Sequence, residues 1–194
     1  MSTSLNLVKG EKIDITKTNP GLKVAAIGLG WDTSRSSSTF DLDAFALALK
    51  GKKLTSPSDV LYFSSPKTNG KPAIMNEALV HSGDNLTGAG DGDDETILVD
   101  FSKIPGGVDE IVVCANIYQA ASKRQNFGMV DNAFIRVYDN DTKAEIARYD
   151  LSEDASSHSG MVFGKLYLHQ GEWKFQAVGE SKDGDITVIA DTFC

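Results

Sequence analysis

Apolar residues in this chain fall in short runs that alternate with polar positions or fill a few consecutive ones, and nearly every run is closed by Gly, Asp, Asn or Ser. That is the pattern of strands joined by tight turns, because helices repeat their apolar positions every three or four residues. Nine stretches read as strands: 24–30, 40–49, 60–63, 96–101, 110–118, 133–139, 145–151, 161–169 and 172–179. They are rich in Val, Ile, Phe and Tyr, side chains that suit a pleated, half-buried surface. Gln170-Gly171 is predicted to turn the last two into a hairpin, and residues 139–143 (DNDTK) the pair before them. A short helix is predicted within 120–127, and 186–193 reads equally well as strand or helix. Residues 33–39 (TSRSSST) read as a polar surface loop, and no repeat or linker is evident that would divide the chain. The expectation is one domain over 1–194, all-β, a β-sandwich with few short helices.

Within the second strand, FDLDAFALAL, alternation puts Asp41, Asp43, Phe45, Leu47 and Leu49 on one face and Leu42, Ala44, Ala46 and Ala48 on the other. Two carboxylates therefore lead into what reads as an apolar inner face. A charge at the edge of a core costs several kcal/mol unless it is paired or ligates a metal, so a positive partner is expected at the strand's start. Asp32, after the GLGW strand end, reaches the same rim if the first two strands pair around the 33–39 loop.

Residues 83–95 (GDNLTGAGDGDDE) add Asp84, Asp91, Asp93, Asp94 and Glu95, with no Lys or Arg anywhere from 72 to 102. Carboxylates this close repel one another, and a bound cation relieves that repulsion. All-oxygen ligands suit Ca²⁺ or Mg²⁺ rather than Zn²⁺, Cu or Fe. Loose coordination and glycines that let backbone carbonyls join favour Ca²⁺. The stretch is not an EF-hand: counted from Asp91, position six is Thr96 rather than Gly and position twelve is Ser102 rather than Glu. Nor is it a phosphate cradle, since it has no Lys and its carboxylates repel phosphate. The plain alternative is a solvated acidic turn.

Composition narrows the setting. A formal charge of −8 disfavours nucleic acid and anionic lipid. Two cysteines, Cys114 in an apolar run and Cys194, make neither a disulfide framework nor a metal cluster, which suits a reducing compartment. The N-terminal residues lack a signal-peptide pattern and no run is long enough to cross a membrane, so a soluble, cytoplasmic protein is expected. His81, His158 and His169 are scattered, no nucleophile is evident, and Trp31 and Trp173 read as core. Arg136 and Arg148 punctuate apolar strands and read as structural ion-pair partners, with Asp150 a candidate acid.

Together, GLGWD (28–32), FDLDA (40–44), HSGDNLTGAGDGDDE (81–95), QNFG (125–128), NAFIRVYD (132–139), EIARYDLSEDAS (145–156) and MVFGKLYLHQGEWKFQAVG (161–179) resemble the TerD family of bacterial tellurite-resistance and stress-response proteins. The resemblance covers most of the chain. It implies a β-sandwich with acidic metal-binding loops at one end, holding Ca²⁺, more than one ion, at Asp41, Asp43, Asp84, Asn85, Asp91, Asp93, Asp94 and Glu95. The implied protein is intracellular, non-enzymatic and stress-responsive, its calcium ordering the loops into a surface for a protein partner, including other family members. The alternative is calcium-dependent binding of a membrane surface or of a small anionic ligand such as a cyclic nucleotide. Three segments depart from the family pattern: no Ser follows DLDA, 67–80 diverges, and 179–194 replaces a Gly-rich terminal segment.

Overall fold

The computed structural model describes residues 4–32, 40–86, 92–150 and 157–194. In chain order the first strands are β1 (Leu5–Asn6), β2 (Lys12–Asp14), β3 (Val24–Asp32), β4 (Leu42–Leu49), β5 (Val60–Leu61), β6 (Lys67–Thr68), β7 (Lys71–Ile74) and β8 (Leu79–His81). There follow β9 (Glu95–Asp100), β10 (Glu110–Ile117), α1 (Ala120–Lys123), β11 (Asp131–Asp139), β12 (Glu145–Asp150), β13 (Gly160–His169), β14 (Glu172–Lys182) and α2 (Ile186–Asp191). The protein is all-β, built as two sheets. One has the order β1-β12-β11-β3-β9-β8-β7-β6, the other β2-β14-β13-β10-β4-β5. Among these strands only β1 and β12 run parallel.

The main core lies between the sheets. From the first sheet come Ile27, Leu29 and Trp31 of β3 with Ile97 and Val99 of β9; from the second come Leu42, Ala44, Ala46 and Ala48 of β4 with Ile111 and Val113 of β10. The small alanines of β4 let its backbone lie close to the opposite sheet. This corrects the sequence reading of that strand, in which Phe45, Leu47 and Leu49 were expected to face inward. Those three residues instead form a second cluster on the outer face of their sheet, with Val112, Cys114, Val162 and the α2 residues Ile189 and Ala190. The alternation was right; the sheet simply has two covered faces, and β4 is buried along its whole length. Burying each of these large side chains contributes on the order of 1.5–3 kcal/mol, so α2 is held by side-chain burial rather than by its own six residues of helix.

Gln170 and Gly171 both take positive φ, 52° and 83°, as the tight hairpin between β13 and β14 requires. The terminal segment resolves as helix, opened by Asp185, whose Oδ1 accepts from the N–H of Val188 at 3.0 Å. The sequence reading assigned no strands to 67–81, where β6, β7 and β8 now stand. Their connecting turn uses Met75, Asn76 and Glu77 at φ of 54°, 53° and 63°, a left-handed run without a glycine to signal it.

Candidate metal centre

The β3–β4 end of the sandwich gathers much of the predicted acidic set. Asp41 and Asp43 leave the start of β4 on one face, and Asp84 reaches them from the loop after β8. One carboxylate oxygen of each lies within 4.8 Å of the others. Asp43 is 2% exposed and Asp41 9%, while Asp84 is open to solvent. Asp41 Oδ1 and Asp43 Oδ2 are buried and have no hydrogen-bond partner among the described residues. Buried polar atoms are almost always satisfied, so two orphaned carboxylate oxygens side by side fit a site shaped for a cation.

The electrostatics agree. Burial pushes the Asp43 carboxyl up to about 8, with Glu95, Asp41 and Asp84 adding repulsion. Burial likewise pushes Asp41 up to about 6, with repulsion from Asp84 and Glu95 and opposition from Lys123. Residue Asn116, which sequence reasoning passed over, completes the floor. It is the cross-strand neighbour of Asp43 on β10, is 2% exposed, and its Oδ1 also lacks a partner among the described residues. A polar residue within the apolar run EIVVCANI was the available signal.

The remaining predicted residues are placed differently. Asp93 lies on the outer face of the first sheet, where Arg136 of β11 grips it with two hydrogen bonds, 2.7 Å from Nε and 3.1 Å from Nη2. Gly28 makes this possible: a Cβ there would collide with the Asp93 carboxylate. The cation that the sequence lacked near this loop thus arrives from a distant strand, and Arg136 also binds Glu145 at 3.2 Å. Asp150 pairs instead with Arg148, at 3.1 Å. The Asp94 carboxylate accepts from the Trp31 N–H and from Asn85 Nδ2, both at 3.0 Å. Burial raises the Asp94 carboxyl, partly offset by the Trp31 N–H.

Glu95, wholly buried, ties the two sheets together. Its Oε2 accepts from the Ala44 N–H at 2.7 Å and its Oε1 from the Asn85 N–H at 3.1 Å. Beside it His81, also wholly buried, accepts the Gly83 N–H on Nδ1 and donates from Nε2 to the Ala44 carbonyl, each at 3.0 Å. With Nδ1 accepting, the proton that Nε2 donates completes the pattern. Glu95 and His81 thereby clamp both polar backbone groups of Ala44, on the strand edge that β5 does not cover, and fix where Asp43 points. The scatter of histidines in sequence gave no hint of this. Asp32 accepts from Asn132 Nδ2 at 2.6 Å across β3 and β11. Asp91 lies outside the described residues.

The fold is a two-sheet sandwich, almost wholly antiparallel, with an acidic cluster that is partly unsatisfied among the described residues. Comparison with known proteins makes the class specific: the TerD domain profile matches residues 1–193, and the chain belongs to the TerD family. It is 42% identical over 193 residues to General stress protein 16U of Bacillus subtilis (strain 168), covering 98% of this chain and 97% of that protein. Identity is also 42%, over 189 residues, to Tellurium resistance protein TerD of an Alcaligenes species, covering 96% and 95% of the two chains. A crystal structure of a Streptomyces coelicolor A3(2) homologue of telluride resistance protein (TerD) superposes with a TM-score of 0.69 at 19% identity, covering 88% of this chain and 96% of that one. No helix among the described residues is long and apolar enough to cross a membrane.

Proposed function

We propose that this member of the tellurite-resistance and stress-response family is a non-enzymatic calcium-binding protein. Its ion sits at Asp41, Asp43 and Asp84, with the Asn116 oxygen beside them. The observation that carries this reading is the pair of buried, unpartnered oxygens on Asp41 and Asp43, converging with Asp84. Oxygen-only donors favour a hard cation, and Ca²⁺ accepts six to eight of them in irregular geometry, water and backbone carbonyls filling the rest. Asp93, Asp94, Glu95 and Asn85 then act as the frame that seats the loop, since each already holds protein partners. A non-enzymatic role suits a site whose neighbouring histidine has both ring nitrogens occupied by backbone. Binding couples Asp84, after β8, to the start of β4, and the surface so formed is where a protein partner, including other family members, docks.

Titration calorimetry on chelator-stripped protein with Ca²⁺ and Mg²⁺ tests the reading. Binding of Ca²⁺ that is lost in Asp43→Asn and retained in Asp93→Asn supports it. Equal affinity for both ions, or loss in Asp93→Asn with retention in Asp43→Asn, refutes the ligand set.

A further inference from the structure

On the outer face of the second sheet, between α2 and the 54–63 segment, a cleft of about 500 Å³ opens onto the second apolar cluster. That volume is within the range of small-molecule sites. Its walls are mainly apolar, from Leu54, Val60, Ile186 and Ala190, with the rings of Tyr62, Phe63 and Tyr118. Among the described lining residues the charged side chains are Asp43, Asp185 and Asp191, with no Lys, Arg or His. Two of the lining residues are the buried Asp43 and Asn116, whose unpartnered oxygens Oδ2 and Oδ1 belong to neighbouring positions of β4 and β10. Both are acceptors.

We infer that this cleft binds a small organic cation, a primary ammonium on a compact apolar or aromatic body. The ammonium donates to Asp43 and Asn116, and the body packs against Val60, Ile186 and the aromatic rings. Three features exclude an anion or a neutral body alone. The floor offers acceptors that need donors, the charged residues among the described lining are acidic, and aromatic π-systems attract cations. Tyr118 already receives one, the Lys123 ammonium 5.3 Å from its ring centre. The inference does not depend on calcium, although it shares Asp43 with the proposed ion. An ion there withdraws the floor carboxylate from the ammonium, so each ligand weakens the other by the same factor.

The probe is 2-phenylethylamine, added to the full ¹⁵N-labelled chain in chelator and followed by NMR, with 2-phenylethanol and phenylacetate as neutral and anionic controls. Expected at about pH 9, where Asp43 is a carboxylate and the amine still an ammonium, are saturable shifts at Asn116, Tyr62 and Ile186 with the amine, and binding about tenfold or more weaker for either control, since a hydrogen bond to a buried charge is at stake. Asn116→Leu should weaken the amine. Thr187→Trp, at an exposed position on the α2 wall, should block it without entering the core. Equal binding of the alcohol would reduce the cleft to an apolar hollow and overturn the inference. Phenylacetate binding that appears only with Ca²⁺ would overturn it too, in favour of a metal-bridged anion. So would amine shifts unchanged by Thr187→Trp. Amine binding in a protein that shows no calcium heat would sink the calcium proposal alone, and calcium binding without amine binding would sink this inference alone.

Discussion

Calcium binding at Asp41 and Asp43 should expel protons in a number that depends steeply on pH. With Asp43 raised to about 8 and Asp41 to about 6, about nine-tenths of the first and a tenth of the second are protonated at pH 7. A divalent ion requires both as carboxylates, so about one proton should leave per ion at pH 7, about two at pH 5 and close to none at pH 9. Calorimetric titrations in PIPES and in imidazole, whose heats of ionisation differ, read that number from the difference in apparent enthalpy. The same raised values set the stability of the metal-free fold. Because the folded state holds protons that the unfolded chain has released above about pH 4, these groups contribute fully below that pH. The contribution is lost as pH rises through about 6 and about 8, at up to about 1.4 kcal/mol per pH unit for each proton. Metal-free protein should therefore melt at lower temperature at pH 8.5 than at pH 5.5, and saturating Ca²⁺ should narrow or reverse the gap. Binding heats identical in the two buffers at pH 7, or a proton count that does not fall between pH 7 and 9, would refute the burial argument at Asp43.

Other expectations follow from the frame around the site. Asp93→Asn should destabilise the metal-free protein by about 2 kcal/mol, because it removes the carboxylate from a bidentate pair with Arg136; denaturant melts measure it, and a neutral or stabilising effect would mean the pair contributes nothing. Gly28→Ala should cost a similar amount by displacing the same carboxylate, and the double variant should cost clearly less than the sum, which a double-mutant cycle checks. Replacing His81 by Leu leaves the Ala44 carbonyl and the Gly83 N–H without their partner, at about 1–3 kcal/mol each; thermal melts should show the loss, and calcium affinity should fall with it as Asp43 loses its fixed position. Leu47→Ala, in the outer cluster, should cost about 2–5 kcal/mol, comparable to a residue between the sheets.

Much of this was readable from local pattern. The nine predicted stretches all contain strands, and Asp41 and Asp43 stand together at the start of β4 as period-two alternation requires. What escaped has a common physical origin in long-range pairing. Nothing near Asp93 in sequence announces Arg136, some forty positions on; only the register of β3 against β11 sets Arg136 opposite Gly28, where the missing side chain leaves room for a carboxylate. Asn116 becomes part of the floor only through its register with Asp43. The outward direction of Phe45, Leu47 and Leu49 could not be read either, because alternation divides a strand into two faces without saying which one meets the other sheet. The 67–81 strands were hidden by polar residues, by Pro72 and by a turn whose left-handed positions are Met, Asn and Glu.

The way the sheets are stitched has a consequence in time rather than in space. β1 waits for β12, β2 for β14, and β3 for β11, so the earliest strands to leave a ribosome take their neighbours from the latest. The proposed calcium ligands Asp41, Asp43 and Asp84 all precede β10, the strand against which β4 is registered. A nascent chain therefore carries its acidic residues, and the doubly buried apolar strand β4, with the edge that meets β10 bare until the second half has been made. Such non-local closure places folding on the slow, millisecond-to-second side for β proteins. During that window an exposed strand edge invites pairing with other chains. The chain is thus most open to mispairing while it is being synthesised.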